Sequence, residues 1–371
     1  MVIKRLNLVN FRNYSKVNLE LGPSMNIFIG ENASGKTNIL ESIVVLALTK
    51  SYKNINENNL IRLAKNKTKI KGTVKNDKSL KNLEIEIMET EKVVKVNNKR
   101  VYCLADYISN LNIVLFTPDD LELIKGSPSI RRNLLNMELS QLSSLYLNTY
   151  NQYNKILRTR NEYLKILFTN NIADKKYLDI LTEQLIDKAI VIYKLRNEYL
   201  EKINRNINNI FKNITGEENL SILYKPNISF DNYEDDSLKK TMMEILNKNY
   251  QRELHIGMTM FGPHRDDFQF QLNDVDMKFF SSQGQQKSAV LAYKLSTIPI
   301  FEEKNGTKPV LLLDDIFSEL DLKKKNRLLK YVNQDIQSII TTTDLKNISK
   351  KSLENATIFK VSNGNVERSN N

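Results

Sequence analysis

Eight residues constrain this chain more than any others: Gly30 to Thr37 read G-E-N-A-S-G-K-T. The stretch ahead of them, Met25-Asn26-Ile27-Phe28-Ile29, has the apolar character of a short buried strand. The stretch behind, Asn38 to Leu46, has that of a helix. This is a P-loop in the strand–loop–helix setting that its chemistry requires. Glycines let backbone N–H groups turn toward phosphates, and the helix N-terminus adds the positive end of its dipole. Gly30, Glu31, Asn32, Ala33, Ser34 and Gly35 are therefore candidates to cradle a nucleoside triphosphate. Lys36 is expected to reach the β- and γ-phosphates, and Thr37 to place its hydroxyl on magnesium. The alternative, a chance G-x-x-x-x-G-K-[ST], needs strand and helix to fall into register by accident.

A length of 371 residues suits two domains, or one domain carrying a large insertion. No run of eighteen apolar residues is present, so no membrane span is expected. The first residues run straight into a strand pattern without a signal-peptide apolar region. Cys103 is the only cysteine, which excludes an internal disulfide, argues against zinc, and fits a reducing cytoplasm. The net charge of +12 suggests an anionic partner, nucleic acid being the usual one. A coding bias toward Lys, Asn and Ile explains the same number, with the lysines merely solvated. Lys65, Lys67, Lys69 and Lys71 alternate and would share one face of a strand. Lys323, Lys324 and Lys325 form a second cluster. Each group either touches phosphate or faces water.

Residues 1–30 read as two strands and a turn leading to the P-loop. Residues 60–103 read as an antiparallel meander: Leu83, Ile85, Ile87, Val94 and Val96 keep a period of two, with a turn at Asn97-Asn98. Asn112 to Phe116 is a further buried strand, ended by Pro118. From Ser129 to Asn213 the spacing becomes helical. Tyr146, Tyr150, Tyr153, Leu157, Leu164 and Leu167 form one run, and Leu178, Leu181, Leu185, Ile192, Leu195, Tyr199 and Ile203 another. Two readings stay open: two long antiparallel helices packed seam to seam, or a helical subdomain with an ordinary core. Residues 215–236 read as loop and strand, and 241–252 as helix.

Lys308 to Asp315 read K-P-V-L-L-L-D-D, a parallel strand expected beside the P-loop strand. Asp314 is then placed to bind magnesium, directly or through water, and Asp315 to orient the attacking water. The alternative is a helix N-cap after a core strand. Phe279 to Lys287 read F-F-S-S-Q-G-Q-Q-K and open a helix running through Leu295. A serine hydroxyl, a glycine N–H and a helix N-terminus make an anion site; the alternative is an ordinary Ser/Gly-capped helix. Ser282-Gln283-Gly284-Gln285 resembles the S-G-G-Q signature of the ATP-binding-cassette superfamily. That resemblance implies that Ser282 and Gly284 cap the γ-phosphate held by a second copy. Ser318-Glu319-Leu320-Asp321 resembles the D-loop of the same superfamily. Ser338 to Asp344 is a strand ending at the switch position, where many relatives carry histidine. His255 and His264 both lie upstream, so Thr342 or Thr343 is left to substitute. Many relatives also carry glutamate at position 315. A misplacement of about 1 Å costs on the order of a hundredfold in rate, so slow hydrolysis is expected, with nucleotide acting as a dimer clamp.

About 245 residues separate Thr37 from Ser282, more than in transporter ATPases and fewer than in chromosome-maintenance proteins. At this spacing the chain resembles the RecF family of bacterial recombination and repair ATPases. The matching runs are Leu8-Val9-Asn10-Phe11-Arg12-Asn13-Tyr14, Pro118 to Pro128 with Arg131-Arg132, and Gly262-Pro263-His264-Arg265-Asp266-Asp267. The S-Q-G-Q-Q-K run beginning at Ser282 matches as well. The resemblance implies an α/β fold: an ABC-type P-loop ATPase head, with mixed sheet plus antiparallel meander, and an inserted α-helical lobe bearing a short helical hairpin. The head would comprise 1–128 and 256–371, and the lobe 129–255. It implies ATP and Mg2+ as cofactors, an ATP-dependent homodimer, and binding to double-stranded and gapped or single-stranded DNA. It also implies weak, DNA-stimulated hydrolysis. RecO and RecR are the expected partners in recombinase loading during replication and repair. The implied location is cytoplasmic and nucleoid-associated, without a membrane.

Carried over residue by residue, nucleotide would be held by Gly30, Asn32, Gly35, Lys36, Thr37, Asp314 and Asp315. Arg12 and Asn13 would lie near base or ribose. No Q-loop glutamine is assigned after Phe116. His264-Arg265-Asp266 also resembles the H-R-D of protein kinases, but no kinase glycine loop precedes it and Gln271 stands where asparagine is needed. Arg131 and Arg132 either reach DNA or nucleotide or make an ion pair on the helix face. A transporter-type cassette ATPase and a small-molecule kinase are the competing functions. The long helical insertion argues against the first and the signature run against the second.

Overall fold

A computed structural model describes residues 1–53, 55–76, 79–169, 174–316, 322–332, 335–345, 353 and 356–369. Two compact units emerge: Met1–Leu121 with Ile207–Glu218 and Ser282–Asn371, and Glu122–Asn206 with Asn219–Ser281.

The first unit begins with a hairpin of β1 (Val2–Phe11) and β2 (Tyr14–Glu20). Ile3, Leu6, Leu8 and Phe11 of β1 are buried. The first thirty residues hold three strands rather than two. β3 (Met25–Ile29) leaves the hairpin for a different sheet, because its apolar residues face neighbours on both sides. Helix α1 (Lys36–Leu48) follows the P-loop and is buried almost throughout, with Ile39, Leu40, Ile43, Val44 and Leu46 enclosed. A helix apolar all round needs cover all round, and α1 packs against both sheets of its unit.

The meander follows as β4 (Lys67–Lys75), β5 (Leu80–Met88), β6 (Lys92–Val96) and β7 (Lys99–Arg100). It completes an antiparallel sheet of order β2-β1-β4-β5-β6-β7. Asn97 and Asn98 turn the last hairpin at φ 50° and 64°, the left-handed pair a two-residue turn needs. Three of the four alternating lysines form cross-strand ion pairs, while Lys65 lies in the turn ahead of β4. Lys71 sits opposite Glu84 at 2.8 Å, Lys67 reaches Glu86 at 3.0 Å, and Lys69 reaches Glu84 at 3.3 Å. Burial pushes the Glu84 carboxyl up, but hydrogen bonds from Lys71 and Lys69 outweigh it and bring the pKa down to about 2. Short helix α2 (Leu104–Ile108) leads to β8 (Ile113–Phe116).

The second unit is the helical lobe. Its elements are α3 (Glu122–Lys125), α4 (Pro128–Leu142), α5 (Ser144–Thr169), α6 (Lys175–Thr215), α7 (Asp235–Lys248), α8 (Tyr250–Ile256) and α9 (Met277–Phe280). The last turns of α6, from Ile207, belong to the first unit. A sheet of β9 (Leu220–Lys225), β10 (Asp267–Leu272) and β11 (Val275–Asp276) completes the lobe. The β9–β10 pairing draws residues 256–281 into this unit, so the contact boundary falls at 281/282 rather than at 255/256.

Helices α5 and α6 run antiparallel. Tyr146 meets Arg196, Arg160 meets Thr182, and Tyr163 stacks edge-on against Tyr177. They do not form an isolated seam, because α5 also packs on α4 and α8. Two fully buried arginines hold the core. Arg196 binds Asp266 Oδ2 at 2.8 Å, Asn136 Oδ1 and the Pro263 carbonyl. Arg160 binds Glu253 at 2.8 Å, Thr182 and Thr259. Removing one partner of such a pair leaves a buried charge uncompensated, at a cost of about 3–5 kcal/mol.

His264 sits within this lattice. Its Nε2 lies 3.1 Å from the Thr259 carbonyl, which only accepts, so Nε2 carries the proton; Nδ1 lies 2.6 Å from the Tyr153 hydroxyl. Burial is the largest influence and lowers its pKa, to about 4, with nearby arginines adding to the effect. The folded pKa is depressed, so the contribution to stability is complete above the unfolded value of about 6.5 and drains away as pH falls through about 4. Acidification across that window should cost the lobe about 3 kcal/mol at this site. Melting temperatures of wild type and His264→Gln compared from pH 7 to pH 4 test this. Parallel curves would overturn it.

The chain returns to the first unit with α10 (Gln283–Asn305), β12 (Val310–Asp314), β13 (Ser338–Thr342), β14 (Thr357–Ser362) and β15 (Asn365–Arg368). The second sheet has the order β15-β14-β3-β13-β12-β8, parallel except at the β15 edge. The expectation that the D-D strand lies beside the P-loop strand is therefore corrected, since β13 stands between them. All three strands are buried on both faces, so burial leaves their order undetermined. The order has a chemical consequence: Thr341 is paired directly with Asp314, and Thr342 with Ile29. Among the described residues no helix is long and apolar enough to cross a membrane.

Candidate nucleotide site

The P-loop closes on its own carbonyls. Lys36 Nζ donates to Gly30 O and Glu31 O, each at 2.7 Å. Burial lowers the Lys36 pKa, while Asp315 and Asp314 raise it in part. Gly35 turns the chain at φ 113°, where a side chain would be strained and would also meet Asn13 and Tyr14. The β1–β2 turn braces the loop from outside, with the Tyr14 hydroxyl donating to Gly35 O at 2.9 Å and Asn13 Nδ2 to Ser34 O at 3.3 Å.

Asp314 ends β12 facing this loop. Its Oδ1 accepts from Thr37 Oγ1 at 2.9 Å and from Thr341 Oγ1 at 2.8 Å; its Oδ2 accepts from the Tyr52 hydroxyl at 3.4 Å. Asp315 follows at φ 47°, left-handed backbone for a non-glycine residue, and its N–H donates to Thr341 Oγ1 at 3.0 Å. Such strain concentrates at functional positions. Asn32, Ala33, Lys36, Thr37, Asp314 and Asp315 thus line a single cleft of about 160 Å³.

The donor set fits a phosphate-bound magnesium ion. A hydroxyl and a carboxylate are hard oxygen ligands, and magnesium takes one or two such protein ligands while phosphates and waters complete its shell. Ser34 Oγ is buried in the loop without a hydrogen-bond partner, as expected of a group meant to meet a ligand. Among the described residues no cluster of three His, Cys, Asp or Glu side chains is placed to hold a metal by itself.

Arg12 lies elsewhere. Its guanidinium grips the buried Glu41 carboxylate at 2.8 and 2.9 Å and donates to Asn59 O. With Asn13, Asn38, Lys53, Arg62 and Lys65 it walls a neighbouring cleft of about 870 Å³. Thr342 Oγ1 donates to Asp344 O, and Thr343 is exposed. The threonine that touches Asp314 is Thr341, which the sequence reading did not single out.

Ser282 caps α10. Its Oγ accepts from Gln285 N at 3.2 Å, and Gln285 Oε1 accepts from Ser282 N at 2.9 Å, a complete capping box. Ser282, Gln283 and Gly284 are exposed, and neither Ser282 nor Gly284 lines the P-loop cleft. Lys324 donates to Gly284 O at 3.3 Å. The D-loop run Ser318 to Asp321 lies outside the described residues.

The paired arginines serve the lobe. Arg131, buried, forks onto Asp267 at 2.6 and 2.9 Å, and Arg132 donates to Asp266 O. Of the two readings ion pairing holds for Arg131, with its partner on β10, while Arg132 bonds the backbone of the residue before that strand. Sequence reasoning missed Tyr52, Glu41 and Lys294, whose ammonium is buried against Asp120 at 2.7 Å. None of the three belongs to a recognisable motif.

The sequence matches the RecF/RecN/SMC N terminal domain family over residues 2–367. A protein of Listeria welshimeri named DNA replication and repair protein RecF is 40% identical over 370 residues, 100% of both chains. One of Staphylococcus epidermidis with the same name is 39% identical over 369 residues, 99% of this chain and 100% of that one. A solved structure of the recombination mediator protein RecF-ATP in the RecFOR pathway superposes with a TM-score of 0.91 at 33% identity, covering 99% of this chain and 97% of that chain. An Smc head bound to the C-winged helix domain of ScpA superposes at 0.57 and 17% identity, covering 100% and 97%, a likeness of fold alone.

Proposed function

The chain belongs to the RecF family of DNA replication and repair proteins, ATP-binding proteins with an ABC-type head, and from that premise we propose that it is an ATP-operated DNA clamp acting at single-strand gaps. The observation that carries this reading is the convergence of Lys36, Thr37 and Asp314 in one cleft, with a serine-capped, exposed helix end on the same chain. In this account Lys36 neutralises the β- and γ-phosphate oxygens, and Thr37 and Asp314 hold magnesium. When bound there, magnesium would supply positive charge against the negative charge that develops on the phosphates during transfer. Asp315 orients the attacking water, and its short side chain keeps hydrolysis slow; DNA, by favouring the dimer, stimulates it.

The serine-bearing end of α10, through Ser282 and Gly284, caps the nucleotide of a second copy, so that ATP assembles a homodimer. Solved relatives are described within a RecFOR pathway. By extension, RecO and RecR are the partners with which this chain aids recombinase loading at the nucleoid. Contacts to DNA run through Lys and Arg to the phosphate backbone, with little base readout.

Affinity for a gapped duplex, measured by anisotropy across a salt series, should be steeply salt-dependent and require ATP. Six to ten phosphate contacts imply a loss of roughly 10³–10⁵ between 50 and 200 mM salt. DNA binding that is unchanged when ATP is withdrawn at fixed salt would overturn the clamp.

A further inference from the structure

Asp314 is held on both oxygens, and one of the holding groups lies far from any motif. A carboxylate turns easily about its last torsion, which has broad wells, so its plane is set by what it bonds. Thr37 and Thr341 both donate to Oδ1, and among the described residues Tyr52 is the donor to Oδ2. Once Thr37 gives its oxygen to the metal, Thr341 and Tyr52 are the described donors that keep Asp314 oriented.

Tyr52 is itself anchored. Ser51 Oγ donates to Glu41 Oε1 at 2.6 Å, and Lys53 approaches Glu41 Oε2 at 3.9 Å while its ammonium lies over the Tyr52 ring. Glu41 is wholly buried and also receives the Arg12 fork. It stands four residues after Thr37 on α1, so the proposed metal hydroxyl and the anchor share one helix face. A carboxylate only accepts, so the Tyr52 phenol is the donor in this contact.

We infer that Tyr52 is a positioning residue for the magnesium carboxylate, set in place by the Glu41 anchor on the P-loop helix. The inference rests on the reading that Thr37 and Asp314 hold magnesium. Partners that orient a metal ligand are worth about 10–100-fold in metal affinity, and the 3.4 Å contact points to the lower end.

The test is Tyr52→Phe in the full chain, with a fluorescent ATP analogue titrated against MgCl₂. The apparent magnesium constant should weaken about tenfold. Nucleotide binding in EDTA and the melting temperature should stay at wild-type values, and Tyr52→His, which keeps a donor, should recover part of the loss. A Tyr52→Phe chain with wild-type magnesium dependence overturns the inference while the underlying reading stands. A wild-type chain that binds the analogue with no response to magnesium overturns the reading itself. If Tyr52→Phe melts early, Tyr52→His decides, and a folded Tyr52→His chain no better than phenylalanine in its magnesium response counts against the inference.

Discussion

Replacing Lys36 with alanine should reduce ATP affinity and turnover by at least about a hundredfold and leave the protein folded, since the loss of one preorganised charge on a developing anion costs about that much. The ammonium is not spent on an ion pair. It rests on the carbonyls of Gly30 and Glu31 at 2.7 Å, partners it can exchange for phosphate oxygens without unmaking any packing. Burial disfavours its charge, but Asp315 and Asp314 across the cleft favour it. Lys36→Arg should rescue little, because a planar fork cannot occupy the position of a compact point charge between two carbonyls. Calorimetric titration with ATP, alongside thermal melts, checks both variants. A Lys36→Ala chain that binds ATP within a few-fold of wild type would show that the loop is not the nucleotide site.

What could be read in the sequence depended on how far apart the interacting residues lie along the chain. The P-loop spans eight residues and carries its own strand and helix, so its form was legible. The helix start at Ser282 lies within its own short run and was legible for the same reason, though its capping box was not read. The contact between Tyr52 and Asp314 spans 262 residues and that between Thr37 and Asp314 spans 277. The second was anticipated because phosphate chemistry demands both groups; the first follows no such demand and went unseen. Strand order failed likewise, since β3, β12 and β13 are all buried on both faces and only the assembled sheet places Thr341 on the strand between β3 and β12. The lysine stripe shows the converse. Its alternation was clear, but the glutamates that pair with it lie on the next strand, so charge pattern alone left DNA contact and ion pairing undivided. In the lobe, helical spacing located α5 and α6 but gave no sign that Arg160 and Arg196 face inward, because a buried arginine looks like any other until its carboxylate partner is found.

Ser282→Arg should abolish the ATP-dependent dimer while the monomer binds nucleotide as before. Ser282 is exposed at the end of α10 and does not line the cleft of its own chain, so the substitution leaves the P-loop site untouched. On a second copy the same position would have to approach a phosphate within hydrogen-bond reach. There a serine hydroxyl, already accepting from Gln285 N, has its own proton to donate. An arginine carries attractive charge but several more heavy atoms, and a gap of even about 1 Å between the two copies forfeits roughly a quarter to a half of each van der Waals contact across it. Sterics therefore outweigh the added charge. Loss of the cap accounts for only about 1 kcal/mol of helix stability, and Ser282→Ala, which loses the cap without the bulk, separates the two effects. Light scattering after size exclusion, with and without a slowly hydrolysed ATP analogue, gives the readout. Wild type should double in mass with nucleotide, Ser282→Ala should do so weakly, and Ser282→Arg should remain single. A Ser282→Arg chain that still doubles in mass would place the serine-capped helix end outside the interface and remove the clamp from the account.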